Sequence, residues 1–176
     1  MTQDIEIPKI SQKHLLGIKY LSIDDINKIL ELAIFFKLKN KEKNKNYPIL
    51  TGRTIINLFF EPSTRTLISF EIAAKRLGAD VINMNIEGSS LRKGETLSDT
   101  AHTIGAMSPD LVVIRHSEDN SAEEISKLLE CPVVNAGEGI NEHPTQALLD
   151  AFTILDHKKT LKAVSYTHLR AHETFH

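Results

Sequence analysis

Four residues with phosphate-binding chemistry, Ser63-Thr64-Arg65-Thr66, stand between an apolar run and a helical pattern. The run at 55–60 predicts a buried strand, and apolar residues then recur at helical spacing until Gly78. A helix N-terminus has unpaired N–H groups and a positive dipole end, so hydroxyls and a guanidinium there offer a phosphate several donors. The segment therefore predicts a phosphate site, although a Ser/Thr N-cap beside an incidental surface arginine explains the local pattern equally well.

Arg115 is a second candidate, because it ends another apolar run in the sequence VVIRH. A guanidinium at the carboxyl end of a buried strand is costly to place unless an anion meets it. That anion is either a ligand or a local carboxylate, Glu118 or Asp119, and the pattern favours neither. The neighbouring His116 is predicted to pack against other side chains or to be solvated.

His143 is a third candidate, because it precedes Pro144, a residue suited to the first turn of a helix. The imidazole is therefore expected at or near a helix N-cap. The positive dipole end there keeps the imidazole neutral and able to donate a hydrogen bond, which suits a carbonyl oxygen. A capping histidine with no chemical role is the alternative.

A polar loop, GSSLRKGE, carries Ser89, Ser90, Arg92 and Lys93 before the next helical pattern. Cations and hydroxyls in loops are usually just exposed, so the loop taken alone is predicted to be a solvated turn. Its place after an apolar strand is the feature that it shares with the other candidates.

The elements that carry these residues alternate as strand, loop and helix, four times from Thr54 onward. Short continuous apolar strands between helices predict right-handed crossovers and an α/β fold, a four-stranded parallel sheet with helices on both faces. The predicted strands are 54–60, 81–84, 111–114 and 133–134. Ligands of such sheets bind outside the carboxyl ends of the strands, where all the candidate residues fall.

An amphipathic helix is predicted before the sheet, opening with a capping box formed by Ser22 and Asp25. The lysine-rich stretch 37–48 follows, and alternation of its lysines with Asn and Glu indicates a solvated loop rather than a basic patch. A second capping box, Ser121 to Glu124, predicts the start of the helix after the third strand.

The bulk composition indicates an ordinary globular chain. Its 176 residues fit one domain or a little more, and 21 basic against 23 acidic residues argue against wholesale nucleic-acid or membrane binding. The single cysteine, Cys131, excludes an internal disulfide and fits a reducing compartment. The N-terminus has no signal-peptide pattern, and no apolar run is long enough for a membrane span, so the cytoplasm is the predicted location.

The motif Pro62-Ser-Thr-Arg-Thr66 followed by Ser69-Phe70-Glu71 resembles the carbamoyl-phosphate motif of the aspartate and ornithine carbamoyltransferases. Three later stretches match the same family in order. These are the loop from Ser89 to Thr100, Arg115-His116, and His143-Pro-Thr-Gln146. The resemblance runs from about Leu15 to Leu161.

The resemblance implies a role for each matched residue. The phosphate of carbamoyl phosphate would be bound by Ser63, Thr64, Arg65, Thr66 and Arg115. Its carbonyl would be polarised by Thr66, Arg115 and His143, and Gln146 would hold the carbamoyl nitrogen. Lys93 and Ser89, or Ser90 in place of Ser89, would reach the aspartate site of a neighbouring subunit, which implies a homotrimer with shared active sites.

The implied reaction transfers the carbamoyl group to an amine without a covalent nucleophile, a metal or a cofactor, because phosphate is already a good leaving group. Three details favour the aspartate branch over the ornithine branch: Leu67 after the first motif, HPTQ at 143–146, and the loop SSLRKGE. The alternatives are an ornithine-type enzyme and a non-catalytic module that binds carbamoyl phosphate or assembles with other chains. Attachment of regulatory chains is left open by the sequence.

The resemblance predicts a carbamoyl-phosphate-binding domain at 1–161, followed at 162–176 by a tail unlike the family. The family's aspartate-binding domain is therefore expected to be absent, and the tail is interpreted as a truncation or an artefact. Residues 172–176, HETFH, formally match the zinc-protease pattern H-E-x-x-H. No zinc site is expected, because such a site needs a stable helix, a third ligand and a cleft.

Overall fold

The computed structural model describes residues 6–85 and 96–158 of the chain. Helices and strands alternate in these ranges in the predicted order. They are α1 (Ile23–Lys39), β1 (Thr54–Phe59), α2 (Thr64–Arg76), β2 (Asp80–Asn85), α3 (Leu97–Ala106), β3 (Leu111–His116), α4 (Ser121–Leu128), β4 (Val133–Glu138) and α5 (Pro144–Lys158). A single turn of 3-10 helix, Ile18–Tyr20, precedes α1. None of the helices in these ranges is both long and apolar enough to cross a bilayer.

The four strands form one parallel sheet in the order β2-β1-β3-β4, which confirms the predicted fold. The inner strand β1 pairs with β2 on one side and with the other inner strand, β3, on the other. Because all strands run in the same direction, the turns that follow them emerge at one edge of the sheet. That edge carries those candidate residues that lie within the described ranges.

Apolar side chains cover both faces of the sheet, because successive residues of each strand point to opposite sides. On one face Ile56 and Leu58 pack with side chains of α3 and α4, such as Ile104 and Ile125. On the other face Ile55, Phe59 and Val113 pack against α2, whose contributions include Ala74, Leu67 and Phe70. Helices on both faces confirm the doubly covered sheet.

The described residues before α1, 6–22, form the N-terminal segment. Around Leu15 this segment lies along the outer edge of β4. Leu15 forms a parallel bridge with Val134 and exchanges two backbone hydrogen bonds of 2.9 Å with Val133 and Asn135. The segment therefore covers backbone groups that an edge strand would otherwise expose. It continues into α1, whose Ser22–Asp25 capping box is present as predicted.

Two local predictions are wrong. α1 continues to Lys39, which is buried and lies 2.5 Å from Glu42 through its ammonium group, so the exposed loop begins only at Asn40. The predicted capping box of Ser121 and Glu124 is not formed. Ser121 Oγ donates to the Glu118 carbonyl, and the Ala122 N–H donates to a carboxylate that comes from the end of β4.

Candidate functional site

The turn between β1 and α2 leaves the start of α2 open to a ligand. Ser63 is the N-cap residue by position, but its hydroxyl donates to Thr66 Oγ1 over 2.9 Å. Among the described residues the Ser63 side chain accepts no hydrogen bond from a helix N–H. The first intrahelical bond runs from Leu67 N to the Ser63 carbonyl, so the N–H groups of the preceding residues point outward, as helix geometry requires. This arrangement suits an anion.

Arg115 joins three parts of the carboxyl edge. The residue is only 5% exposed at the end of β3. Nη2 forms a 2.5 Å salt bridge with Glu61, which lies just before the α2 turn, and Nη1 donates to the Ala136 carbonyl of β4 over 3.0 Å. Arg115 therefore forms this ion pair with Glu61, a residue that was not among the carboxylates considered from the sequence. The only sequence feature that could have indicated Glu61 is its position directly after the first predicted strand.

A bulge in β4 sets the place of this guanidinium. Ile114 pairs with Asn135 and His116 pairs with Glu138, so β4 carries one more residue than β3 in this stretch. Gly137 lies in the bulge with φ 115°, a conformation that favours glycine. A Cβ on this glycine would overlap Arg115 Nη1 and would lie 3.2 Å from His143 Cδ2. Arg115 and His143 therefore converge on Gly137.

His143 directly precedes α5, as predicted. Its carbonyl accepts the N–H groups of Gln146 at 3.0 Å and Ala147 at 3.1 Å, so it holds the N-cap position. Thr145 Oγ1 lies 3.4 Å from His143 Nδ1. Gln146 Nε2 donates to Asp150 along α5, so its amide oxygen is the atom suited to accept a carbamoyl N–H.

Carboxylates hold the loop that leads to His143. Glu138 accepts the Ala122 N–H of α4 at 3.1 Å and Asn141 Nδ2 at 3.0 Å. Asp119 Oδ1 accepts the N–H of Ile140, the residue before Asn141, at 3.0 Å. These bonds tie the loop to the start of α4 and to the turn before it. They therefore limit the positions that the His143 imidazole can take.

His116 packs rather than faces the site. Its ring lies 4.6 Å from the ring of Phe60, and its Nδ1 accepts the Glu118 N–H at 2.9 Å. Burial lowers the pKa of His116, while the carboxylates of Glu118 and Glu61 act in the opposite direction. A neutral, packed imidazole is a structural element of this edge.

The structure brings some of the predicted residues together and places others farther out. Arg115 and His143 meet at Gly137, and the backbone bond from Phe60 N to the Arg115 carbonyl, 2.9 Å long, joins the turn of α2 to the end of β3. The side chain of Arg65 is exposed in the first turn of α2. The predicted Ser89 and Lys93, with Ser90 and Arg92, lie outside the described residues, as do the predicted tail and its HETFH pattern.

Comparison with known proteins identifies the family. The model of the family described as aspartate/ornithine carbamoyltransferase, carbamoyl-P binding domain, matches residues 13–156. The aspartate carbamoyltransferase catalytic subunit of Pelagibacter ubique is 58% identical over 156 residues, which are 89% of this chain and 50% of that protein. The subunit of the same name from Parvibaculum lavamentivorans is 52% identical over 157 residues, covering 89% of this chain and 48% of that protein.

Solved structures agree with this result. Aspartate transcarbamoylase from Trypanosoma cruzi, in complex with carbamoyl phosphate and aspartate, matches with a TM-score of 0.80 and 38% identity over 88% of this chain and 49% of that chain. Ornithine carbamoyltransferase from Pyrococcus furiosus matches with a TM-score of 0.77 and 36% identity, covering 86% and 48%. The chain spans about half the length of the curated relatives that it matches. It belongs to the aspartate/ornithine carbamoyltransferase family, through the carbamoyl-phosphate-binding domain of that family.

Proposed function

We propose that residues 1–161 are the carbamoyl-phosphate-binding domain of an aspartate carbamoyltransferase. The complete enzyme would transfer the carbamoyl group of carbamoyl phosphate to L-aspartate, giving N-carbamoyl-L-aspartate and phosphate for pyrimidine biosynthesis. The aspartate carboxylates would be held by a further domain of the complete enzyme. Relatives named aspartate carbamoyltransferase at 58% and 52% identity support this choice of substrate.

One observation carries the proposal: a buried guanidinium and an N-capping imidazole lie against the same glycine, beside a helix start that is open to anions. Arg115 supplies positive charge in a place that is 5% exposed, where an electrostatic contact is weakly screened. His143 supplies a ring nitrogen from a different loop. A small ligand with a charged end and a carbonyl fits this combination of groups.

In this proposal the phosphate group binds at the start of α2. Its donors would be the outward N–H groups of the first turn, including that of Thr66, the hydroxyl of Thr64, and the hydroxyl of Ser63 once it turns from Thr66 Oγ1 to the phosphate. The guanidinium of Arg65 would reach the phosphate from the exposed side. Arg115 completes the set from β3. The Glu61 carboxylate, which forms a salt bridge with Arg115, competes with the ligand for this guanidinium. Ligand binding therefore requires that Glu61 move away from Arg115 at least in part.

The carbonyl oxygen then faces Thr66, Arg115 and His143. As the amine of L-aspartate attacks the carbonyl carbon, negative charge develops on this oxygen, and donors already aimed at it lower the barrier. Gln146 accepts a hydrogen bond from the carbamoyl nitrogen and fixes the orientation of the group. The tetrahedral intermediate collapses by breaking the bond to the phosphate oxygen, and the departing phosphate takes the proton of the amine.

Two further residues belong to the proposal, although they lie outside the described ranges. Lys93 and Ser89 would enter the aspartate site of a neighbouring subunit, in a homotrimer located in the cytoplasm. Neither a metal nor a cofactor takes part in the proposed reaction. A non-catalytic module that binds carbamoyl phosphate is the alternative.

Two measurements test the proposal. Calorimetric titration with carbamoyl phosphate is expected to give saturable binding with one site per chain. An assay for carbamoylated product, with L-aspartate and L-ornithine in parallel, is expected to give product only with L-aspartate, in this chain or in the complete enzyme. Binding without turnover would favour the module, turnover of L-ornithine would favour the ornithine-type enzyme, and the absence of binding would contradict the proposal.

A further inference from the structure

A buried amide in β4, that of Asn135, connects the N-terminal segment with the bulge below the site. The residue has no exposed surface. Its Nδ2 donates to the Leu16 carbonyl at 2.9 Å, and its Oδ1 accepts the Gly137 N–H at 2.8 Å. Its own backbone N–H donates to the Leu15 carbonyl at 2.9 Å. The nitrogen of the side-chain amide is thus hydrogen-bonded to Leu16, and its oxygen is hydrogen-bonded to Gly137.

The bond to Gly137 forms where the ladder between β3 and β4 is interrupted. Regular pairing ends at Ile114 with Asn135 and resumes at His116 with Glu138. Within this interval the Gly137 N–H is bonded to the Asn135 amide, and the preceding carbonyl, that of Ala136, accepts from Arg115 Nη1 at 3.0 Å. The shape of the bulge therefore determines where this carbonyl can hold the guanidinium.

Energetics favour a specific role for a polar side chain here. Its pairing partner on β3, Ile114, and the residue before it on β4, Val134, are apolar, and burying an amide is costly unless its hydrogen bonds are made. An interior amide that is hydrogen-bonded at both its nitrogen and its oxygen favours one backbone geometry, because alternatives leave a buried donor or acceptor unsatisfied. An apolar side chain at 135 would fill the space without this selection.

We propose that Asn135 is a positioning residue of the carbamoyl-phosphate site. It acts through the Gly137 bulge and the Ala136 carbonyl on Arg115, and it makes the N-terminal segment at Leu16 part of the support of the site. This inference rests on the proposed function, because the ligand named here is the one assigned above. Asn135 itself contacts neither the ligand nor the reacting atoms.

The test compares variants of Asn135 with identical variants of Asn57. Asn57 is equally buried, in β1, and its amide donates to Asn83 at 2.8 Å instead of contacting the bulge. Thermal unfolding shows which variants remain folded, and calorimetry gives the dissociation constant for carbamoyl phosphate. Because Asn135→Ala leaves a cavity that can unfold the chain, the isosteric Asn135→Asp carries the test.

Asn135→Asp keeps an oxygen for the Gly137 N–H but loses the donor to Leu16. At pH 8 we expect it to bind carbamoyl phosphate roughly tenfold more weakly than the unsubstituted chain. At pH 5.5 this ratio should shrink, because a protonated carboxyl again has a donor and an acceptor. Asn135→Ala should show no such recovery, and the Asn57 variants should show neither the loss nor the recovery.

Equal affinities for Asn135→Asp and the unsubstituted chain at both pH values would overturn the inference, as would an equal loss in Asn57→Asp. A readout without ligand separates this result from a failure of the proposed function. The Nε–Hε resonance of Arg115 in NMR spectra should shift in Asn135→Asp and stay in place in Asn57→Asp. If the unsubstituted chain binds no carbamoyl phosphate, the proposed function fails, and this resonance alone decides the positioning role.

Discussion

Gly137 and Arg115 occupy adjoining space so closely that a Cβ on the glycine would overlap Nη1 of the guanidinium. The glycine is therefore required twice, by its φ of 115° and by the side chain that lies against it. His143 lies on the same side, with Cδ2 3.2 Å from the same Cβ position. The bulge is thus the common support of Arg115 and His143, two of the three groups assigned to the carbonyl of the ligand.

Gly137→Ala should weaken carbamoyl-phosphate binding at least tenfold, because the new methyl group displaces Arg115. Backbone strain adds a stability loss of about 1–3 kcal/mol. Gly52→Ala is the matched control: its φ is 78°, and a Cβ there meets nothing within 4 Å. We expect the control to lose stability but to keep its affinity, as measured by urea unfolding and calorimetry. Equal affinity losses in both variants would argue against displacement of Arg115.

The salt bridge between Glu61 and Arg115 predicts competition with anionic ligands. Glu61→Gln removes a negative charge beside the proposed phosphate position and should raise the affinity for inorganic phosphate about threefold to tenfold. The control is Glu123→Gln, because Glu123 pairs with Lys127 on the outside of α4. Phosphate titration of the three proteins checks the prediction. A lower affinity in Glu61→Gln would instead indicate that Glu61 holds Arg115 in its binding position.

The two arginines of the site should differ in their contributions. Arg115 is 5% exposed and Arg65 is exposed, so solvent screens Arg65 more strongly. Arg115→Lys should cost about 2–4 kcal/mol of binding free energy for carbamoyl phosphate, and Arg65→Ala about 1 kcal/mol. Arg53→Ala, at the opposite edge of the sheet, should have no effect. A larger loss for Arg65→Ala than for Arg115→Lys would reverse this assignment.

Stability should fall as the pH is lowered from 7.5 to 5.5. Burial lowers the pKa of both His14 and His116, and the Nδ1 atoms of these residues accept backbone N–H groups of Val133 and Glu118. The unfolded chain therefore binds protons at a higher pH than the folded chain, so the free energy of unfolding decreases through this window. Urea unfolding at both pH values should show a smaller decrease in the double variant His14→Gln, His116→Gln. An unchanged decrease would contradict this origin.

The fold was predictable because its strands are continuous apolar runs and its turns are polar. Leu67, Phe70 and Ala74 follow the helical period and do pack on the sheet, and Gly78, at φ 85°, ends this helix as predicted. The parallel direction of the strands and the two-sided core follow from alternation of strands with helices. Local rules failed where a distant group intervened. The start of α4 is bonded to Glu138, a residue 16 positions away, and not to its own Glu124.

The sequence predicted the positions of Arg115 and His143 in the fold, but not the contacts that support them. Arg115 and His143 stand at strand and helix ends that the sequence marks. Three features of their support depend on strand register. They are the ion pair between Arg115 and Glu61, the bulge at Gly137, and the two hydrogen bonds that the Asn135 side chain makes to two other residues. Register is a tertiary property, so no spacing within one segment could indicate these contacts.

A crystal structure of the chain grown with carbamoyl phosphate tests the central claim most directly. We predict that the phosphate group lies at the start of α2, with the carbonyl oxygen within hydrogen-bonding distance of Arg115 and His143 and with the Glu61 carboxylate moved from its present 2.5 Å contact. Carbamoyl phosphate bound at another place, with Arg115 still paired to Glu61 and remote from the ligand, would contradict the claim.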